Sequence, residues 1–167
     1  MPEIQMLGDL LIMTGLSTNN VPDLFFDHGI HGAFTVNVSG KSNSEFNLSA
    51  ANTFTELIVN PSAGNNIESN ATFAGSLSGD VTIMAVGNGN PAAKLTIDAA
   101  DAMSDAATLS ISGTNATLLT VNFNDTIKYL QINGVTQPTC TYGAGQDRNP
   151  SWYSGAGVLT VAGAPTT

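Results

Sequence analysis

The chain has little positive charge. Lys41, Lys94, Lys128 and Arg148 are its only basic residues, against 13 acidic ones, and the net charge is −9. A field of that sign repels phosphate backbones and anionic membrane surfaces, which sets nucleic acid aside as a partner. Cysteine is almost absent. The single Cys140 excludes an internal disulfide framework and a cysteine-built zinc cage, so stability must come from packing and backbone hydrogen bonds. Long apolar runs are missing too. The longest, LLIM at 10 to 13, falls short of the ~18 residues of a membrane-spanning helix and of a signal-peptide core, so no membrane insertion is expected. Glu3 and Asp9 stand where a signal peptide would be basic. A chain made in this form is expected to stay in the cytosol, and an extracellular or cell-surface location requires it to be a mature or excised piece of a longer precursor.

Charge of either sign is scarce: 10% of residues are charged, against about 25% in ordinary soluble domains. Asn, Ser, Thr, Ala and Gly take their place. At 167 residues the chain suits one domain, able to bury roughly 70% of its unfolded surface. Short stretches of strand-forming residues recur along it: AFTVNVSG (33 to 40), ELIV (56 to 59), DVTIMAV (80 to 86), KLTI (94 to 97), TLSIS (108 to 112), TLLTVNF (117 to 123), IKYLQI (127 to 132) and GVLTV (157 to 161). Between them lie PSAGNN, SGD, GNGNP, SGTN, NDT and NGVTQP, which supply positive φ, fixed φ or side-chain bonds to the backbone. The segment 98 to 107, DAADAMSDAA, reads as a short helical turn or a loop.

An all-β fold follows, and two architectures fit the spacing: an antiparallel sandwich or jelly roll, and a parallel β-solenoid (β-helix) with tight turns. A sandwich favours charged outer faces. A solenoid stacks like side chains on like from layer to layer and needs few charges, so the composition favours it. The expected organisation is a single β domain over 1 to 167, with a solenoid repeat region at 46 to 162. Residues 1 to 45, with LLIM and then LFF, are expected to serve as a cap or as a segment inserted into a neighbour.

The run from Lys94 to Val161 has an Ala-rich turn before a Thr-Leu strand, then an Asp-Thr-Ile strand, the Asn133-Gly134-Val135 turn, the Thr141-Tyr142-Gly143 step and a closing GVLTV strand. In that order the elements resemble the end of a passenger unit in bacterial surface proteins that carry autotransporter-associated β-strand repeats. FNLSAANTFTELIVNPSAG (46 to 64) resembles the repeat itself. The chain departs from the family pattern at Cys140, where a small residue commonly stands, and at Glu56, in place of paired glycines after Thr55. The resemblance implies a parallel β-helix on the cell surface or secreted, in a structural or adhesive role. It implies no catalytic residues.

One stretch stands apart. TYGAGQDRNPSWYSGAGVLTV (141 to 161) holds the only Trp and the only Arg, two of the three Tyr and four of the 17 Gly. Its two Gly-Ala-Gly triplets do not make a phosphate loop, because Arg148 and Thr160 stand where a third glycine belongs and a strand follows in place of a helix. Tyr142, Arg148, Trp152 and Tyr153 are the candidate contacts, either for a glycan, with Gln146, Asp147 and Asn149 beside them, or for assembly. As aromatics they also serve as a cap over the last layer of a solenoid.

Other groupings are weaker. His28 and His31 with Asp23 and Asp27 carry metal-ligand chemistry at a spacing that suits no helix, and Asp98, Asp101 and Asp105 lack the glycine-rich repeat of calcium-binding β-rolls. Neither is taken as a metal site, and nothing calls for a cofactor. Asn37, Asn47, Asn70, Asn115 and Asn124 stand in N-x-S/T sequences, as an Asn- and Thr-rich chain produces by composition, and are read as turn and strand residues. Paired carboxylates are the only catalytic candidates, of the kind a β-helix polysaccharide-degrading enzyme uses. The reading is therefore a non-enzymatic, extracellular structural or adhesive protein that assembles with itself through β-edges into a filament or surface layer, with a monomeric carbohydrate-binding adhesin module as the alternative.

Overall fold

The computed structural model describes residues 4–5, 8, 10–14, 24–26, 28–40, 44–59, 69–84, 93–113 and 118–163. Among them the regular elements are all strands, and no helix is long and apolar enough to cross a membrane. In chain order the strands are β1 (Ile4–Gln5), β2 (Leu10–Thr14), β3 (Leu24–Phe26), β4 (Ile30–His31), β5 (Thr35–Gly40) and β6 (Ser44–Leu48). Then come β7 (Glu56–Val59), β8 (Ser69–Phe73), β9 (Asp80–Met84), β10 (Ala93–Ile97), β11 (Thr108–Ser112) and β12 (Leu119–Val121). The last are β13 (Asp125–Ile127), β14 (Tyr129–Ile132), β15 (Val135–Thr136), β16 (Thr141–Tyr142), β17 (Tyr153–Ser154) and β18 (Leu159–Val161).

Most consecutive strands are not neighbours in a sheet. From β5 to β12 they fall alternately into a seven-stranded sheet of order β15-β14-β11-β9-β7-β5-β2 and a six-stranded sheet of order β17-β12-β10-β8-β6-β3. Parallel strands cannot be joined by a tight hairpin, and here the strand passing through the other sheet supplies the crossover. Every pairing in the two sheets is parallel except β14 with β15. A third line of contacts runs beside them. It holds the parallel pair β1 and β4, the bridges His31–Thr53, Asn52–Leu77 and Leu77–Met103, and a three-stranded sheet of order β13-β18-β16.

The register explains the composition. Val36, Leu57, Val81, Leu109 and Leu130 are successive partners across the seven-stranded sheet, and all are buried. Ala71, Leu95, Leu119 and Tyr153 are successive partners across the other, and they too are buried. Side chains alternate across a strand, so the residues between them face away from this core. Many of those positions carry Thr and Ser, beside others such as Asn37, Ile58 and Gln131, and some bond along the stack: Ser110 donates to Gln131 at 3.3 Å, and the Thr120 and Ser154 hydroxyls lie 2.9 Å apart. A polar ladder of hydroxyls and amides makes surface charge unnecessary.

Asn and Asp tie the corners of one layer to the backbone of the next. Asp80 Oδ1 accepts the Thr108 N–H at 2.7 Å, Asn133 Oδ1 accepts that of Gly113 at 2.8 Å, and Asn124 Oδ1 accepts that of Val158 at 3.0 Å, across 28, 20 and 34 residues of sequence. Turn-forming side chains thus double as interlayer pegs.

Several expectations change in detail. The helical-turn option over 98 to 107 gives way to turns around Met103, which bridges to Leu77. The single strand expected over 127 to 132 is broken at Lys128, because the Lys128 and Tyr129 N–H groups both turn to the Ala107 carbonyl and carry the chain round a corner. LLIM and LFF lie in β2 and β3, the edge strands of the two large sheets among the described residues, and the sheets run across residue 45 without interruption. Residues 85 and 86 of DVTIMAV and 117 of TLLTVNF lie outside the described residues.

Candidate functional site

The 141 to 161 stretch sits where the sheets end on β15, β16 and β17. The Asn133-Gly134 turn prepares that end: both residues have positive φ, 51° and 75°, as a two-residue hairpin of the primed type requires. It folds β15 back antiparallel on β14, with Ile132 opposite Val135. The chain returns through β16, antiparallel to β18, so two of the three lines of contacts finish on an antiparallel strand.

Between β16 and β17 the chain makes a small closed loop. The Arg148 N–H donates to the Thr141 carbonyl at 3.1 Å, and the Gly143 N–H donates to the Arg148 carbonyl at 2.9 Å. Asp147 Oδ2 accepts both the N–H and the hydroxyl of Thr141, at 2.9 and 2.7 Å, and these bonds hold its carboxyl below the usual carboxylate range. Further on, the Trp152 carbonyl accepts the N–H groups of Leu118 and Leu119, at 2.9 and 3.0 Å, pinning the aromatic segment to the layer beneath.

The four candidate residues then divide. Tyr142 and Tyr153 are buried, and their hydroxyls donate to the carbonyls of Pro138 and Gly157, each at 2.9 Å. Burial raises both phenols, Tyr153 to about 12. Trp152 is half-buried and packs on the core, with its ring 5.5 Å from Tyr142 in a tilted arrangement and 6.3 Å from Tyr153 edge-on. Arg148 is exposed. The two tyrosines therefore belong to the packed end of the fold, while Trp152 and Arg148 border a cleft of about 250 Å³. Gln137, Tyr142, Asn149 and Pro150 complete its lining.

The chain matches no protein-family model, no curated protein and no solved structure.

Of the residues grouped with Trp152 in the sequence, Asn149 lines the cleft and Asp147 turns away to Thr141. Gln137 and Pro150 line the cleft too, without standing out in the composition of the chain. The primed turn at Asn133-Gly134 is the signal that could have found Gln137, since a strand reversed there returns toward the same end of the sheets. The remaining groupings disperse. His31 Nδ1 lies 3.0 Å from the Thr53 hydroxyl, His28 is exposed, and Asp23 and Asp27 lie outside the described residues. Asp98 Oδ1 accepts the Asn122 amide at 2.9 Å. Among the described residues no three His, Cys, Asp or Glu side chains form a group that could hold a metal ion. Asn37, Asn47 and Asn70 stand in strands and Asn124 at a corner, while Asn115 lies outside the described residues.

Proposed function

We propose that the chain is a parallel β-solenoid that serves outside the cell, on a surface or secreted, as structural or adhesive material without catalysis, and that it pairs with its own copies through β-edges. The observation that carries this reading is the difference between the two ends. At one, the parallel strands β2 and β3 are the last of the two large sheets among the described residues; at the other, β15 and β16 run antiparallel and the Tyr142, Trp152 and Tyr153 rings are packed. Unpaired strand edges pair with another chain unless covered. A filament needs two such edges, and at the β15 and β16 end the outer strands are only two residues long, which blunts them, so pairing is directed to the β2 and β3 end, where two copies meet and close.

The resemblance to autotransporter-associated β-strand repeats supports the surface setting, as does a surface built from hydroxyls and amides. The engagement of carboxylates supports the absence of catalysis: Asp80, Asp98 and Asp147 are spent on Thr108, Asn122 and Thr141. Sedimentation equilibrium over a range of concentrations, with electron microscopy of the same samples, tests the pairing. A reversible dimer is the expected outcome. A monomer at the highest concentration would sink the assembly reading, and fibres growing from both ends would sink its one-ended form.

A further inference from the structure

We propose that the cleft beside Trp152 binds the terminal acidic residue of a glycan, a pyranose ring bearing a carboxylate. This goes beyond the scaffold reading and stands without it. Three features of the wall select that class. Trp152 is only half-buried, although its neighbours Tyr142 and Tyr153 are buried, so an aromatic residue keeps exposed surface at a site about 250 Å³ in volume. A flat aromatic surface with polar groups around it suits a ring that is apolar on its face and hydroxylated at its rim. The amides of Gln137 and Asn149 supply both donors and acceptors, which hydroxyl groups need.

The third feature is Arg148. It is the only arginine of the chain, it is exposed, and it lines the same cleft. The adjacent carboxylate, Asp147, spends its Oδ2 on Thr141. A guanidinium presents a planar fork that matches a carboxylate through two parallel bonds, which an ammonium cannot do. The backbone of Arg148 is fixed on both sides, by its N–H to Thr141 and its carbonyl to Gly143, so the side chain projects from a defined point. With a net charge of −9 the rest of the surface opposes a polyanion lying along the sheets. Recognition is therefore confined to one acidic residue entering the cleft.

Cellobiouronic acid and cellobiose differ only in bearing a carboxylate or a hydroxymethyl group at one carbon of the terminal ring, which makes the test direct. Trp152 is the sole tryptophan, so its fluorescence reports this site alone. Cellobiouronic acid is expected to shift the emission saturably and cellobiose to bind at least about tenfold more weakly, as loss of a charge-assisted pair predicts. Arg148→Gln should lose the same factor for the acid while its circular dichroism stays that of the parent. Arg148→Lys, which keeps the charge without the fork, should fall between them. Equal binding of the two sugars, an unaltered affinity in a folded Arg148→Gln protein, or equal binding of a short peptide through its terminal carboxylate would each overturn the proposal. So would the absence of any response to cellobiouronic acid by fluorescence and calorimetry.

Discussion

The carboxylate of Asp125 reaches the neighbouring layer and accepts the backbone N–H of Met103 at 3.0 Å, while its second oxygen accepts the N–H of Thr126 at 2.8 Å. Asn52 makes the equivalent bond elsewhere in the same line of contacts, accepting the Ile30 N–H at 2.9 Å, and both bonds span 22 residues. Asn52 and Asp125 are buried among apolar side chains. Where the third line of contacts has only isolated bridges, a buried side-chain oxygen takes the place of a ladder hydrogen bond, because a buried backbone N–H must find a partner.

Asp125 should make the protein more stable in mild acid than at neutral pH. Burial, with the nearby charges of Asp101 and Asp105, raises its carboxyl to about 6 from the ordinary 3.8, against the opposing pull of its two backbone bonds. The folded state therefore holds the proton more tightly than the unfolded one. The associated stability is fully present below about pH 4 and is lost as pH rises through about 6. Asp125→Asn removes this titration and sets an amide N–H2 against a backbone donor. Its melting temperature should lie below the parent's, and the gap should be widest near pH 4 and narrow as pH rises to 7.

Asn52→Leu should destabilise the protein by about 2 to 4 kcal/mol in denaturant unfolding, since the buried Ile30 N–H and the Ala50 carbonyl both lose a partner. Asn124→Ala removes a bond of the same kind at an exposed corner, where water replaces it, and should cost less than about 1 kcal/mol. Equal losses would show that burial does not set the strength of these pegs.

Much of the sheet structure is written in alternation. Residues 93 to 97 alternate between buried and half-buried, and the apolar Leu95 and Ile97 against Thr96 reveal the strand without any knowledge of its neighbours. Ser69–Phe73 carries the same signal only weakly, in Ala71 and Phe73 about Thr72, and its place as a strand is secured by β6 and β10, which flank it in register. A parallel strand held on both sides does not need strong propensity of its own. The site was legible only as a cluster. Composition drew attention to Tyr142, Arg148, Trp152 and Tyr153, but which rings are buried depends on hydroxyl bonds to Pro138 and Gly157, and spacing says nothing of those.

Gly155 and Gly145 separate two uses of glycine at this end. Gly155 has φ of 101°, and a Cβ there would stand 2.1 Å from the Val121 carbonyl oxygen, a backbone atom that cannot move aside. Gly155→Ala should cost about 3 kcal/mol or more and loosen β17 from β12, seen as faster hydrogen exchange at Thr120 and Ser154. Gly145 has φ of 74° with nothing within 4 Å of a Cβ. Gly145→Ala should cost only the backbone strain, about 1 to 2 kcal/mol.

Alkali should open this end of the molecule. Burial holds the Tyr153 phenol at about 12 and raises that of Tyr142, whose ordinary value is 10, so the folded state keeps both neutral when an unfolded chain would ionise them. A group with a raised folded value stabilises below its unfolded value and ceases to do so above it, so stability should fall as pH rises from about 10 to 12. Absorbance of phenolate at Tyr153 should appear with the change in Trp152 fluorescence, because the ring contacts of Trp152 and Tyr153 are lost in the same event. Tyr153→Phe identifies the signal by difference: it removes one phenolate and the bond to Gly157, and should cost about 1 kcal/mol at neutral pH. Ionisation of Tyr153 near pH 10, with Trp152 emission unchanged, would show that the ring is open to solvent and that this end of the molecule is not packed.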